Sequence, residues 1–145
     1  MGRIKIDITG HPVASLVIKV RITDINYGNH VGNDAFVSLI HEARVQWLAQ
    51  HHFTELNAAG TGLIMGDLAV EFKGESFYGD ELTIDITAEQ TSKLTFDLFY
   101  RLTAKRNSSG ILIAHAKTGM VCYDYEKKKP ALIPAGLLEL LQPAS

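Results

Sequence analysis

The sequence predicts an α+β domain in which one curved antiparallel sheet wraps around one long central helix. Three observations predict it. Residues 34–50 contain no Gly or Pro, and their apolar residues recur at helical spacing over much of the circumference. Four later segments, about 63–72, 80–89, 94–104 and 111–123, read as strands. The turns between them are short, which favours antiparallel neighbours, because parallel neighbours need a long crossover.

The elements follow in order. Residues 3–8 (Arg-Ile-Lys-Ile-Asp-Ile) alternate polar and apolar and predict an N-terminal strand extension over residues 1–10. Gly10-His11-Pro12 breaks it. Residues 15–23 alternate again, with Leu16, Ile18, Val20 and Ile22 set against Val17, Lys19, Arg21 and Thr23. The two segments together suggest a hairpin. Residues 24–33, rich in Gly and Asn, form a loop. Asn33 or Asp34 offers an N-cap for the long helix. In that helix Phe36, Ile40, Ala43 and Trp47 fall on one stripe, widened by Val37 and Leu39, so protein is expected on more than one side of it. Asn57 to Gly62 is a small-residue loop, Lys127–Pro130 a polar turn, and residues 134–142 a short C-terminal helix. No repeat or linker divides the chain, so residues 1–145 are expected to form one domain.

Composition removes several function classes. Apolar residues make up 46 % and charged residues 21 %, the balance of a globular domain. The formal net charge of −2 gives no basic footprint for nucleic acid. No apolar run is long enough to span a membrane, and MGRIKIDITG lacks the apolar core of a signal peptide, so a cytoplasmic protein is expected. The lone Cys122 leaves no internal disulfide framework and no cysteine-rich metal site, and it reads as a buried small hydrophobe. The scattered histidines lack carboxylates at ligand spacing, so neither a metal nor another cofactor is predicted.

The loop Asp24-Ile25-Asn26-Tyr27-Gly28-Asn29-His30-Val31-Gly32-Asn33, followed on the helix by His41-Glu42-Ala43-Arg44, resembles the hot-dog-fold acyl-CoA thioesterases of the 4-hydroxybenzoyl-CoA thioesterase-like superfamily. Asp24, His30, Val31, Asn33, Phe36, Glu42 and Arg44 match the family pattern. Glu71-Phe72, Tyr78 to Leu82 and Met120 to Asp124 resemble its later strands. The resemblance covers about residues 15–135. It implies the hot-dog fold, hydrolysis of acyl-CoA to a carboxylic acid and CoA, and a homodimer or homotetramer. One position departs: Asn26 stands where the family commonly has its catalytic Asp. An amide cannot act as a general base, although it can orient a water or hydrogen-bond the thioester.

Thioester hydrolysis needs an activated water or carboxylate, and donors for the developing oxyanion. Backbone N–H groups at Val31, Gly32 and Asn33 are the expected donors, since the first turn of a helix has N–H groups without intrahelical partners and carries the positive end of the dipole. Asn26 and His30 are expected to place the water. Glu42, on a face shared with Ser38 and Val45, is a candidate base or nucleophile if desolvated. Asp67, read on one strand face with Leu63, Met65 and Ala69, is the reserve carboxylate, reaching the site from a partner copy. Asp24 is expected to fix the loop through an Asx-turn, and Arg44 to form a structural ion pair. Tyr27, Phe36 and Met65 are candidate acyl-pocket residues, and Ser92 and Lys93 match a place where relatives carry phosphate-binding residues. Two other activities use similar residues: a hot-dog dehydratase or hydratase acting on acyl thioesters, including carrier-bound ones, and a non-catalytic acyl-CoA-binding domain. One helix occupied by one sheet leaves little interior for an acyl-CoA. The site is therefore expected between two copies, with loop 24–33 of one facing strand 63–72 of the other.

Overall fold

The computed structural model describes residues 2–143; Met1, Ala144 and Ser145, which fall within the predicted domain, lie outside the described residues. The elements are β1 (Ala14–Lys19), α1 (Asn33–Gln50), β2 (Gly62–Phe72), β3 (Glu81–Gln90), β4 (Thr95–Arg106), β5 (Ser109–Asp124), β6 (Lys129–Pro130) and α2 (Ala135–Leu140). Among the described residues they form one six-stranded antiparallel sheet of order β1-β3-β4-β5-β2, with β6 added to the end of β5. This is the hot-dog fold, a curved antiparallel sheet around one long helix.

The strand order differs from simple succession. β2 pairs with β5 at the far edge and not with β3, so residues 73–80 cross the end of the sheet. Side chains fix that crossover. Asp80 accepts from Ser76 Oγ (2.9 Å), the Phe77 N–H (2.9 Å) and Arg106 (2.6 Å), and the Arg106 guanidinium lies 4.9 Å from the centre of the Phe77 ring. At Gly74 the crossover passes so close to β5 that a Cβ would stand 2.9 Å from the Leu112 carbonyl oxygen.

The long helix buries Phe36, Leu39, Ile40, Ala43, Arg44, Trp47 and Leu48 against the sheet. These residues recur every three or four positions and form one stripe. The rest of α1 faces outward, including Val37 and Val45, so the expectation of protein on more than one side is not met within a single chain. The sheet's inner face contributes Ile84, Ile86, Leu98, Tyr100, Ala116, Thr118 and Met120 to the same core.

The N-terminal strand extension does not form. Residues 2–9 make no backbone ladder; only Ile6 of the alternating isoleucines is buried, and Ile4 is exposed. The segment lies instead across the outer face of the sheet, tied by single bonds. Arg3 donates to the Phe72 carbonyl, the Ile6 N–H donates to Glu71 (3.0 Å), and His115 donates to the Ile6 carbonyl (3.1 Å). The strand read over 15–23 is shorter, because residues 22–24 close into a 3-10 turn.

Candidate active site

The loop before α1 is built on two short carboxamide and carboxylate bonds. Asp24 is buried and accepts from the Arg21 N–H (2.8 Å), capping the 3-10 turn, while its carbonyl accepts from the Gly32 N–H (3.1 Å). Its role is structural, but the Asx-turn belongs to Asn26, whose Oδ1 accepts from the Gly28 N–H at 2.9 Å. The Asn26 N–H bonds to the His30 carbonyl (3.0 Å) and closes a tight turn. Asn29, at φ 65°, supplies its left-handed residue.

This turn brings Asn26 and His30 together. Asn26 Oδ1 and His30 Nε2 are each 3.2 Å from the point where a Cβ at Gly28 would stand, so any side chain there would crowd both. The Asn26 amide nitrogen approaches Gly32, being 3.7 Å from a Cβ built there. His30 Nδ1 lies 3.1 Å from the Val31 carbonyl oxygen. A carbonyl only accepts, so in the neutral ring Nδ1 carries the proton and Nε2 keeps its lone pair.

The helix start changes the expected donor set. The Val31 N–H is taken by the Ser76 carbonyl (2.8 Å) and the Gly32 N–H by Asp24. Gly32 is the N-cap, without a side-chain cap, in place of the predicted Asn33 or Asp34. The first intrahelical bond is that of the Phe36 N–H to the Gly32 carbonyl, so the N–H groups of Asn33, Asp34 and Ala35 have no acceptor among the described residues. Of the three expected oxyanion donors only Asn33 is free, and its two successors join it.

A cleft of about 130 Å³ opens beside these groups, bordered by His30, Val31, Asn33, Phe36, Phe72, Gly74 and Glu75. Phe36 and Phe72 meet edge to face with ring centres 5.3 Å apart and form its apolar wall. The sequence reading placed Phe36 here and missed Phe72 and Glu75, which arrive through the displaced strand β2 and the crossover.

The other predicted residues lie elsewhere in the chain. Glu42 is exposed, not desolvated; its face, shared with Ser38 and Val45, is the outer one, and it accepts from Gln46 at 2.7 Å. It sits nine residues along α1 from Asn33, roughly 13 Å at 1.5 Å per residue. Asp67 does not share a face with Leu63 and Met65. A bulge at Gly66 reverses the alternation, so Asp67 turns to the outer face opposite Gly119. There Lys117 holds it with two bonds of 2.9 Å, and the Gly119 N–H adds one of 2.8 Å. The Lys117 bonds, with that of Gly119, keep the Asp67 carboxyl below the usual carboxylate range.

Met65, Ser92 and Lys93 belong to the opposite end of the sheet, where Met65 pairs with Met120 and Phe96 pairs with Met120 from the other side. Ser92 Oγ is occupied by the Leu94 and Thr95 N–H groups of the β3–β4 hairpin. Tyr27 is fully exposed and does not border the cleft. Cys122 is buried, and burial pushes its thiol up to about 11, which leaves it inert.

Arg44 forms the expected structural ion pair. Its Nε donates to Glu55 (2.8 Å) and Nη1 to Tyr100 Oη (3.2 Å), which in turn meets Thr118 Oγ1 at 2.7 Å. His41 reaches the other Glu55 oxygen at 2.6 Å. Burial pushes the Glu55 carboxyl up, but the bonds from Arg44 and His41 and their charges outweigh it, so Glu55 is held below the usual range. This network clamps the loop after α1 to the core. Among the described residues no group of three His, Cys, Asp or Glu side chains is placed to hold a metal.

The model of a family described as the thioesterase-like superfamily matches residues 20–141. The chain is 26 % identical over 119 residues to a 1,4-dihydroxy-2-naphthoyl-CoA hydrolase of Synechocystis, covering 80 % of this chain and 85 % of that one. It is 26 % identical over 125 residues to the acyl-CoA thioester hydrolase YbgC of Escherichia coli, covering 83 % and 90 %. Among solved structures, a 1,4-dihydroxy-2-naphthoyl-CoA thioesterase from Synechocystis superposes with a TM-score of 0.77 at 23 % identity, covering 88 % of this chain and 93 % of that one. A mutant 4-hydroxybenzoyl-CoA thioesterase complexed with 4-hydroxybenzoyl-CoA superposes with a TM-score of 0.77 at 16 % identity, covering 89 % and 98 %. These superpositions bear on the fold.

Proposed function

The chain belongs to the thioesterase-like superfamily, and on that premise we propose that it is an acyl-CoA thioesterase, cleaving the thioester to a free carboxylic acid and CoA. The observation that carries this reading is the set of three N–H groups without protein acceptors, Asn33 to Ala35, beside His30 and an aromatic-walled cleft. The thioester carbonyl oxygen accepts from these groups, and the positive end of the α1 dipole stabilises it as it becomes an oxyanion. Asn26, its Oδ1 engaged by Gly28, presents its amide N–H toward the reacting group. His30 Nε2 orients the attacking water. Phe36 and Phe72 hold the first atoms of the acyl group.

The cleft of about 130 Å³ is far smaller than an acyl-CoA. This supports a site completed by a second copy, with strand β2 of one protomer facing loop 24–33 of the other. Met65, Tyr27, Ser92 and Lys93, and any role for Glu42 or Asp67, then require the assembled dimer or tetramer. The reading places the protein in the cytoplasm; among the described residues no helix is long and apolar enough to cross a membrane.

A panel of acyl-CoA substrates with thiol detection tests the function. The expected result is thiol release from at least one. An enoyl thioester formed without thiol release indicates a dehydratase, and tight binding without turnover indicates a binding domain. Light scattering with active protein tests the assembly, and an active strict monomer contradicts it.

A further inference from the structure

Hydrolysis needs a base for the proton of the attacking water, and the residues assigned so far leave that role open. Asn26 carries an amide. Within one chain Glu42 lies on the outer face of α1, and Asp67 is tied to Lys117 on the outer face of the sheet, so either would have to come from a second copy. Among the residues that border the cleft, one has a carboxylate: Glu75. The crossover fixes its backbone from both sides. The Lys73 and Gly74 N–H groups both bond to the Ile113 carbonyl, Arg106 donates to the Glu75 carbonyl at 2.6 Å, and the next residue, Ser76, holds the Val31 N–H at 2.8 Å. Its carboxylate, in contrast, makes no hydrogen bond or ion pair among the described residues. The cleft, about 130 Å³, is well above the roughly 10–15 Å³ that one water needs by the same measure, and both Glu75 and His30 border it.

We propose that Glu75 is the general base of thioester hydrolysis at this site, acting on a water held between its carboxylate and His30. The proposal rests on the hydrolase reading and deepens it. As the water oxygen bonds to the thioester carbon, Glu75 takes one of its protons, and the carbonyl electron pair moves onto the oxygen held by Asn33 to Ala35. The carbonyl re-forms as the carbon–sulfur bond breaks. The leaving CoA thiolate takes the proton back from Glu75, giving one carboxylic acid and one thiol per water consumed.

The test compares wild type, Glu75→Gln and Glu75→Asp on the acyl-CoA that wild type turns over fastest. Glu75→Gln is expected to lower kcat by about 10²–10⁴-fold while KM stays within about threefold. Glu75→Asp, which keeps a carboxylate, is expected to recover about a tenth or more of the wild-type kcat. An exposed loop residue costs little stability when changed, so the thermal melts should overlay. Wild-type kcat in Glu75→Gln, or a loss confined to KM, overturns the proposal and leaves the hydrolase reading intact. Absence of thiol release from wild type across the panel overturns the hydrolase reading and this proposal with it.

Discussion

Two polar regions sit on the same helix and are finished differently. Midway along α1, Arg44, Glu55, Tyr100, Thr118 and His41 form a network in which the charged groups are paired. At its N-terminus, the backbone N–H groups of Asn33 to Ala35, His30 Nε2 and the Asn26 side-chain amide nitrogen have no protein partner among the described residues, and Asn33 and His30 border a cleft. Buried polar groups are costly when unpaired, so the first region reads as scaffold. The second keeps its hydrogen-bonding capacity for something that arrives from outside.

The sharpest way to break this comparison is to remove one free donor without touching the helix. Asn33 is the first helical residue, a position where proline is favoured because its missing N–H had no intrahelical partner. Asn33→Pro is expected to lower kcat by about 10²–10³-fold, the cost of one oxyanion donor. Asn33→Ala keeps the N–H and controls for the side chain. Steady-state kinetics on the pair check this, and equal rates would contradict it.

Arg44→Ala exchanges activity for stability as the readout. It strips Glu55 and Tyr100 of their shared cation, at a cost of about 2 kcal/mol in urea unfolding, the scale for losing hydrogen bonds to a charged group when Arg44 is buried and Glu55 is partly exposed. A loss under about 1 kcal/mol would show that the network is not the scaffold it resembles.

Glu55 gives this region a pH signature. Its carboxyl is held below the ordinary value of 4.5 in the folded state, so folding favours the ionised form. The resulting stability is present above 4.5 and is lost as pH falls through the lower folded value. The melting temperature of wild type should therefore drop in that acid window, and Glu55→Gln should flatten the drop. The smallest effect is expected at Asp67, an exposed ion-pair partner. Asp67→Asn should change stability by no more than about 1 kcal/mol. With Glu75 as the base, activity also persists; a large loss of kcat at unchanged stability would place Asp67 in a partner's site.

Much of the fold was legible because it is local. The absence of Gly and Pro marks α1, and strands β2 to β5 fall within a few residues of their predicted limits. What escaped depends on distant partners. Gly66 inside the strand is itself a bulge signal, but the apparent alternation of Leu63, Met65, Asp67 and Ala69 masks it, and the bulge turns Asp67 to the outside. Glu42 was correctly grouped with Ser38 and Val45, but which helix face meets the sheet is decided by Phe36, Leu39 and Ala43 together. Ile4, Ile6 and Ile8 alternate as a strand should, but no neighbouring backbone is there to pair with them. At the candidate site, Asn26, His30 and Asn33 are neighbours in sequence, so their proximity is legible from the loop alone. Phe72 and Glu75 are not, and they reach the cleft only because β2 crosses to the far edge.

The most direct test is a crystal structure with a non-hydrolysable acyl-CoA analogue. The expected result is the thioester-equivalent carbonyl oxygen within about 3.1 Å of at least one N–H of Asn33 to Ala35, beside His30. An acyl carbonyl bound elsewhere, with those N–H groups facing only solvent, would contradict the account.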